Sequence, residues 1–235
     1  TIVLLDVDNC LYDETIHGIE RQIVNGIHRF CRDDACNKMT PAEADALHPK
    51  YGSTIEGLRA TIWKGNDEDE ERHLTQRFYR DVYDDVNVAS LLSLRADGSA
   101  ASTTKTGYTH QQSLTELSTL RRILLQLNQQ NNQQNHHRYE IHLASNSPHR
   151  HVSKVIQALG LARIPFDGVW TPDYRTSFGN TTQAETMDRI GSYPTKSQPL
   201  QFFDGFLSPP SSSSKSTQRT TIHLVDDSVT NVRLC

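Results

Sequence analysis

The sequence predicts an α/β fold built on a parallel sheet, and two observations carry that expectation. Three short apolar runs each end abruptly in polar residues. They are Ile2-Val3-Leu4-Leu5 before Asp6, Tyr139-Glu140-Ile141-His142-Leu143-Ala144 before Ser145-Asn146, and Thr221-Ile222-His223-Leu224-Val225 before Asp226-Asp227. Runs this short and β-branched suit strands buried within a parallel sheet. The segments that follow carry apolar residues at helical spacing, as crossover connections require. Ligands of open α/β sheets bind beyond the carboxyl ends of the strands, so the polar residues closing these runs form the candidate site.

The first two strands are separated by a long insertion, residues 14–137. Ile16, Ile19, Ile23, Ile27 and Phe30 recur at intervals of three and four, which predicts a helix. Further helices are expected over Pro41–Leu47, Thr54–Trp63 and Glu70–Tyr83. The acidic run Asp67-Glu68-Asp69-Glu70-Glu71 reads as a solvated helix start, where clustered acids complement the helix dipole. Ser113–Leu127, with Leu114, Leu117, Leu120, Leu124 and Leu127, reads as an amphipathic helix returning to the sheet. Core packing accounts for all these apolar stripes. After the second strand, Val155, Ile156 and Leu159 predict a helix over Ser153–Leu161, with Gly160 as its stop. Thr230–Leu234 would begin another. Residues 97–112, the Asn/Gln/His-rich residues 128–137 and the Ser-rich residues 208–221 bury too little apolar surface to order themselves and are read as flexible surface insertions.

Composition narrows the function. A chain of 235 residues with a net charge of -4 and a pI near 6.2 lacks the concentrated basic face of a nucleic-acid binder. Cys10, Cys31, Cys36 and Cys235 are too irregularly spaced for a zinc site and too few to staple the chain. No signal peptide or membrane-length apolar run occurs, so a reduced, cytoplasmic setting (or a nuclear one as well) and no membrane partner are expected. The chain starts inside an apolar run without methionine and stops just after an acidic pair, so both termini are read as cut.

Carboxylates gathered at strand ends need a cation to offset their repulsion, and magnesium prefers oxygen ligands. The motifs at these ends resemble those of the haloacid dehalogenase-type (HAD-like) hydrolase superfamily. Asp6-Val7-Asp8-Asn9-Cys10-Leu11-Tyr12 is similar to its first motif, in the form found in the pyrimidine 5'-nucleotidase-like branch. Ser145-Asn146 resembles the second motif, Lys196 is the candidate for the third, and Asp226-Asp227-Ser228 with Asn231 resembles the fourth. His48-Pro49-Lys50-Tyr51-Gly52-Ser53-Thr54, with Gly57-Leu58, is similar to a cap-domain signature of the same branch.

The resemblance implies a Rossmann-like three-layer α/β/α core with a parallel sheet, formed by residues 1–13 and 138–235 and truncated at its C-terminus, plus an inserted helical cap over residues 14–137. It implies that Asp6 attacks phosphorus and carries an aspartyl-phosphate, while Asp8 protonates the leaving oxygen and then activates water. Magnesium would be held by Asp6, the Asp8 main-chain carbonyl and Asp227, with Asp226 as the second choice acting through water. Ser145 and Asn146 would bind the substrate phosphate, and Lys196 would pair with it and with Asp6.

The sequence departs from the pattern in places. Ser197 follows Lys196 where proline is usual, and Lys154, the other lysine nearby, reads as a surface residue. Pro148-His149 replaces an acid and a lysine, although His151 matches a family histidine. His149 and His151 lack a carboxylate or cysteine partner at useful spacing and are read as solvated. Cys10 is read as a small buried thiol.

The resulting expectation is a magnesium-dependent phosphomonoester hydrolase acting on a small phosphorylated metabolite, a nucleoside monophosphate in first place. The alternatives are a phosphatase of another sugar or metabolite phosphate and, in a different class, a non-catalytic HAD-like binding protein. Oligomeric state is not legible in the sequence.

Overall fold

The structure, a computed structural model, describes residues 1–13, 17–33, 36, 38–94, 108–133, 139–176, 184–186 and 221–225. Six strands form one sheet: β1 (Ile2–Leu5), β2 (Glu140–Ala144), β3 (Gly168–Thr171), β4 (Tyr174–Thr176), β5 (Ala184–Thr186) and β6 (Ile222–Val225), in the order β5-β4-β3-β2-β1-β6. The three expected runs are all strands. They lie side by side and parallel, with Leu5 level with both Leu143 and Val225. Their carboxyl ends therefore open on the same edge.

β3 extends the parallel set beside β2, whereas β4 and β5 pair antiparallel. The sequence pattern singled out none of these three. Only Pro172 and Asp173 separate β3 from β4, too short a link for a parallel crossover, so the chain folds back as a hairpin. The protein is thus α/β with four parallel strands and an antiparallel edge.

Successive side chains of a strand face opposite sides, and both sides of β1 are buried. Ile2 and Leu4 cluster with Ala144 and Trp170. Leu5 joins Ile141, Leu143 and the apolar face of α7 (His149–Ala158), which supplies Val152, Val155 and Ile156. Burial of these aliphatic side chains contributes roughly 1.5–3 kcal/mol each relative to exposure.

The insertion supplies the other helices: α1 (Ile19–Cys31), α2 (Pro41–Asp45), α3 (Leu47–Tyr51), α4 (Thr54–Thr61), α5 (Glu68–Tyr83), a 3-10 turn at Ala89–Leu94, and α6 (Tyr108–Gln133). Local chemistry sets their starts. Thr40 and Glu43 close a reciprocal capping box on α2, the Ser53 hydroxyl accepts from Glu56 N, and Asp67 accepts from Glu70 N. The acidic run is accordingly the first turn of α5.

α1 to α5 build a core of their own from Phe30, Leu47, Ile55, Leu58, Trp63, Phe78 and Val82. Phe30 meets Phe78 edge-on at 5.2 Å and Trp63 at 6.3 Å. Ile23 touches both this core and the sheet's. Leu117 and Leu124 of α6 pack with the sheet, as does Leu91.

Two expectations change. α6 includes residues 108–112 and 128–133, which were expected to be flexible; glutamine is a good helix former and prolongs a helix whose middle turns are anchored by Leu117 and Leu124. The helix after β2 begins at His149 rather than Ser153, because Asp173 Oδ1 accepts from His149 N at 2.8 Å and satisfies a first-turn amide that residues 149–153 alone could not. Gly160 does end that helix, at φ 71°. The remainder of residues 97–107 and 134–137, residues 208–220 and the segment 230–234 lie outside the described residues. No helix among those described is long and apolar enough to cross a membrane.

Candidate active site at the strand ends

Asp6 follows β1 directly and is buried, 5% exposed. Its backbone N–H donates to Val225 O at 2.9 Å, which ties the loop to the end of β6, and its Oδ1 accepts from Val7 N. The loop then turns tightly: Leu11 N donates to Val7 O, and Asn9 takes a left-handed φ of 59°, a conformation asparagine tolerates better than most residues. This turn brings Tyr12 back over Asp8, and the phenol donates to Asp8 Oδ1 at 2.6 Å.

β2 delivers the second contribution. Ser145 N donates to Trp170 O of β3, and the buried Ser145 hydroxyl donates to Asp8 Oδ2 at 3.3 Å while accepting from Ser147 N at 3.0 Å. Asn146 beside it is half-buried. Of the predicted site residues, Asp6, Asp8, Ser145 and Asn146 thus gather where β1 and β2 end. Lys196, Asp226 and Asp227 lie outside the described residues, although Asp226 follows Val225 directly in the chain.

The expectation that the histidines are solvated is corrected at His151. Its imidazole is buried on the first turn of α7, and Nε2 stands 3.0 Å from Asp8 Oδ1. Spacing within the sequence could not reveal this partner, because Asp8 is 143 residues away. His149 is only half-buried, and desolvation holds its pKa below the ordinary value against the pull of Asp173. Lys154 is likewise not a plain surface residue: its ammonium is half-buried and donates to Asp84 O at 2.6 Å. Cys10 is half-buried rather than buried, with its thiol directed at Val225 O. Tyr12 stood inside the first motif without a role, and Tyr83, whose ring meets His151 edge-on at 5.4 Å, carried no signal beyond helix periodicity.

Electrostatically, the surroundings of Asp8 act on it in opposite senses. Burial pushes its pKa upward, but the His151 hydrogen bond and charge, with help from the Ser147 and Tyr12 hydroxyls, prevail and lower it to about 2. Asp8 therefore rests as a carboxylate, stabilised by donors.

The carboxylate that Tyr12, His151 and Ser145 share is that of Asp8. Among the described residues no group of three or more His, Cys, Asp or Glu side chains is placed to hold a metal ion. A cleft of about 750 Å³ between Val86–Leu92, Arg121 and the end of α7 is lined by none of the described site residues Asp6, Asp8, Ser145 and Asn146. No family model matches the sequence, and no curated protein sequence matches it as a relative.

Proposed function

We propose that the chain is a magnesium-dependent phosphomonoesterase of haloacid dehalogenase type, with a three-layer α/β/α core and a helical cap drawn from the insertion. The observation that carries this reading is the convergence of Asp6, Asp8 and Ser145 at the aligned ends of β1 and β2, with β6 ending beside Asp6. Two carboxylates one residue apart can divide labour when their environments differ. Here Asp8 is held by three donors, whereas Asp6 stands on the strand end itself.

In this mechanism an Asp6 oxygen bonds to phosphorus as the bond to the leaving oxygen breaks, giving an aspartyl-phosphate. Asp8 gives a proton to the leaving oxygen and later takes one from the water that hydrolyses the intermediate. Since Asp8 rests ionised, it must first gain a proton. A phosphate dianion beside it is a like charge and raises its pKa in the complex. Ser145 and Asn146 would hold phosphate oxygens and Lys196 would offset their charge. Magnesium, held by Asp6, the Asp8 main-chain carbonyl and the Asp226-Asp227 pair, would neutralise charge on the transferring group.

Nucleoside monophosphates are the proposed substrates. Support comes from the resemblance of the first motif and from Tyr83 of α5, whose ring meets that of His151 at 5.4 Å and so brings the helical insertion up to the residue that holds Asp8. Phosphate release from a panel of nucleotides and sugar phosphates, with magnesium and with EDTA, tests the proposal. Release that depends on magnesium and vanishes in Asp6→Asn is expected. Equal release in EDTA or in Asp6→Asn would sink the mechanism, and nucleotide binding without turnover would favour a non-catalytic binding protein.

A further inference from the structure

We propose that His151 is a positioning residue for Asp8: together with Tyr12 it clamps Oδ1 of the carboxylate, so that Oδ2 is the oxygen presented to the substrate's leaving group. The inference rests on the phosphatase reading and deepens it.

The geometry distinguishes the two oxygens of Asp8. Oδ1 accepts from the Tyr12 phenol at 2.6 Å and from His151 Nε2 at 3.0 Å, whereas Oδ2 faces the Ser145 hydroxyl at 3.3 Å. The two clamping donors come from different elements: Tyr12 from the loop after β1, and His151 from the first turn of α7. A carboxylate held from two directions cannot swing about its side-chain bonds, which is the preorganisation that proton transfer to a leaving oxygen needs.

Packing alone does not explain a histidine at this position. The ring is buried with Val152 as its neighbour in the chain and Tyr83 against it, and Nδ1 has no hydrogen-bond partner among the described residues. A buried polar atom without a partner is unfavourable, so a leucine of similar size would suit the packing better. The compensating interaction is the one with Asp8. Because an ionised carboxylate only accepts, the ring nitrogen that faces it, Nε2, carries a proton. That proton stays on His151 throughout: as the phosphorus–oxygen bond breaks, its electron pair goes to the leaving oxygen, which takes the proton of Asp8 Oδ2.

His151 donates through Nε2, a position that the amide of a glutamine side chain can approach and leucine cannot fill. His151→Leu, His151→Gln and Tyr12→Phe are to be compared on an alkyl phosphate such as a nucleoside 5'-monophosphate and on p-nitrophenyl phosphate, whose leaving group departs without a proton. For His151→Leu the alkyl phosphate kcat is expected to fall about 10²-fold with KM within about twofold, while the single-turnover release of p-nitrophenol, a step that precedes the hydrolysis in which Asp8 activates water, loses less than about threefold. His151→Gln should recover most of the loss, and Tyr12→Phe should show the same split between substrates.

Equal loss in the alkyl phosphate kcat and in single-turnover p-nitrophenol release with no recovery in His151→Gln, or no loss at all, overturns the proposal. A second readout needs no turnover: ¹⁵N NMR of the wild-type imidazole should show His151 protonated at Nε2, with that signal altered in Asp8→Asn. An Nδ1–H tautomer, or a spectrum indifferent to Asp8→Asn, would also overturn it. Wild-type protein that releases no phosphate from either substrate refutes the phosphatase reading, while the NMR arm still decides whether His151 holds Asp8.

Discussion

The Ser145 hydroxyl lies 3.3 Å from Oδ2 of Asp8, although 137 residues separate the two in the chain. The register of β1 against β2 creates this meeting, since Leu5 and Leu143 stand level and the loops beyond them emerge together. Ser145→Ala is expected to lower kcat/KM for phosphomonoesters about 10- to 10²-fold, the scale of losing one donor to a transferring group. Steady-state phosphate release checks it, and an unchanged kcat/KM would remove Ser145 from the site.

Asp8 also links the site to stability. Its folded-state pKa of about 2 lies below the ordinary 3.8, so the ionised form stabilises the fold above about pH 4. That contribution, on the order of 2 kcal/mol, is lost as pH falls from about 4 towards 2. Urea denaturation of wild type and Asp8→Asn should therefore give stabilities that converge across this window. Parallel curves would show that the donors around Asp8 do not favour its charge.

Gly26 marks where α1 crosses α5. A Cβ added there would stand 2.9 Å from Val82 O and 3.1 Å from Val82 Cα, both backbone atoms that cannot rotate away. Gly26→Ala should destabilise the protein by about 1–3 kcal/mol, because overpacking outweighs the helix-propensity gain of alanine. A denaturation midpoint at or above that of wild type would mean the two helices separate at little cost.

Asp67→Ala removes the acceptor for Glu70 N at the start of α5 and should lower stability by about 1 kcal/mol. Asp67→Asn, which retains a capping oxygen, should stay within about 0.5 kcal/mol of wild type. Thermal unfolding of the pair separates the cap from general effects of charge in this acidic turn.

β1, β2 and β6 were legible as strands because a short β-branched run flanked by polar residues has few other ways to bury itself. α1, α4 and α5 were legible because their apolar residues recur at helical spacing, and the starts of α4 and α5 carry caps, Ser53 and Asp67, that act within three residues. β3 to β5 were not legible. Each is only three or four residues long, and each is held by pairing with a neighbour rather than by a pattern of its own.

The candidate site divides along the same line. Asp6, Asp8 and Ser145 could be named from the chain because each stands one to three residues beyond a recognisable strand, and that relationship is local. His151 was misread because the carboxylate it serves is 143 residues away. Burial of its ring, the start of α7 on Asp173 and the choice of which Asp8 oxygen is clamped all depend on strands meeting in register. Short-range periodicity and capping act within a turn or two and can be read along the chain. The partners of a buried polar group are set by how distant elements pack, and only the folded arrangement supplies them.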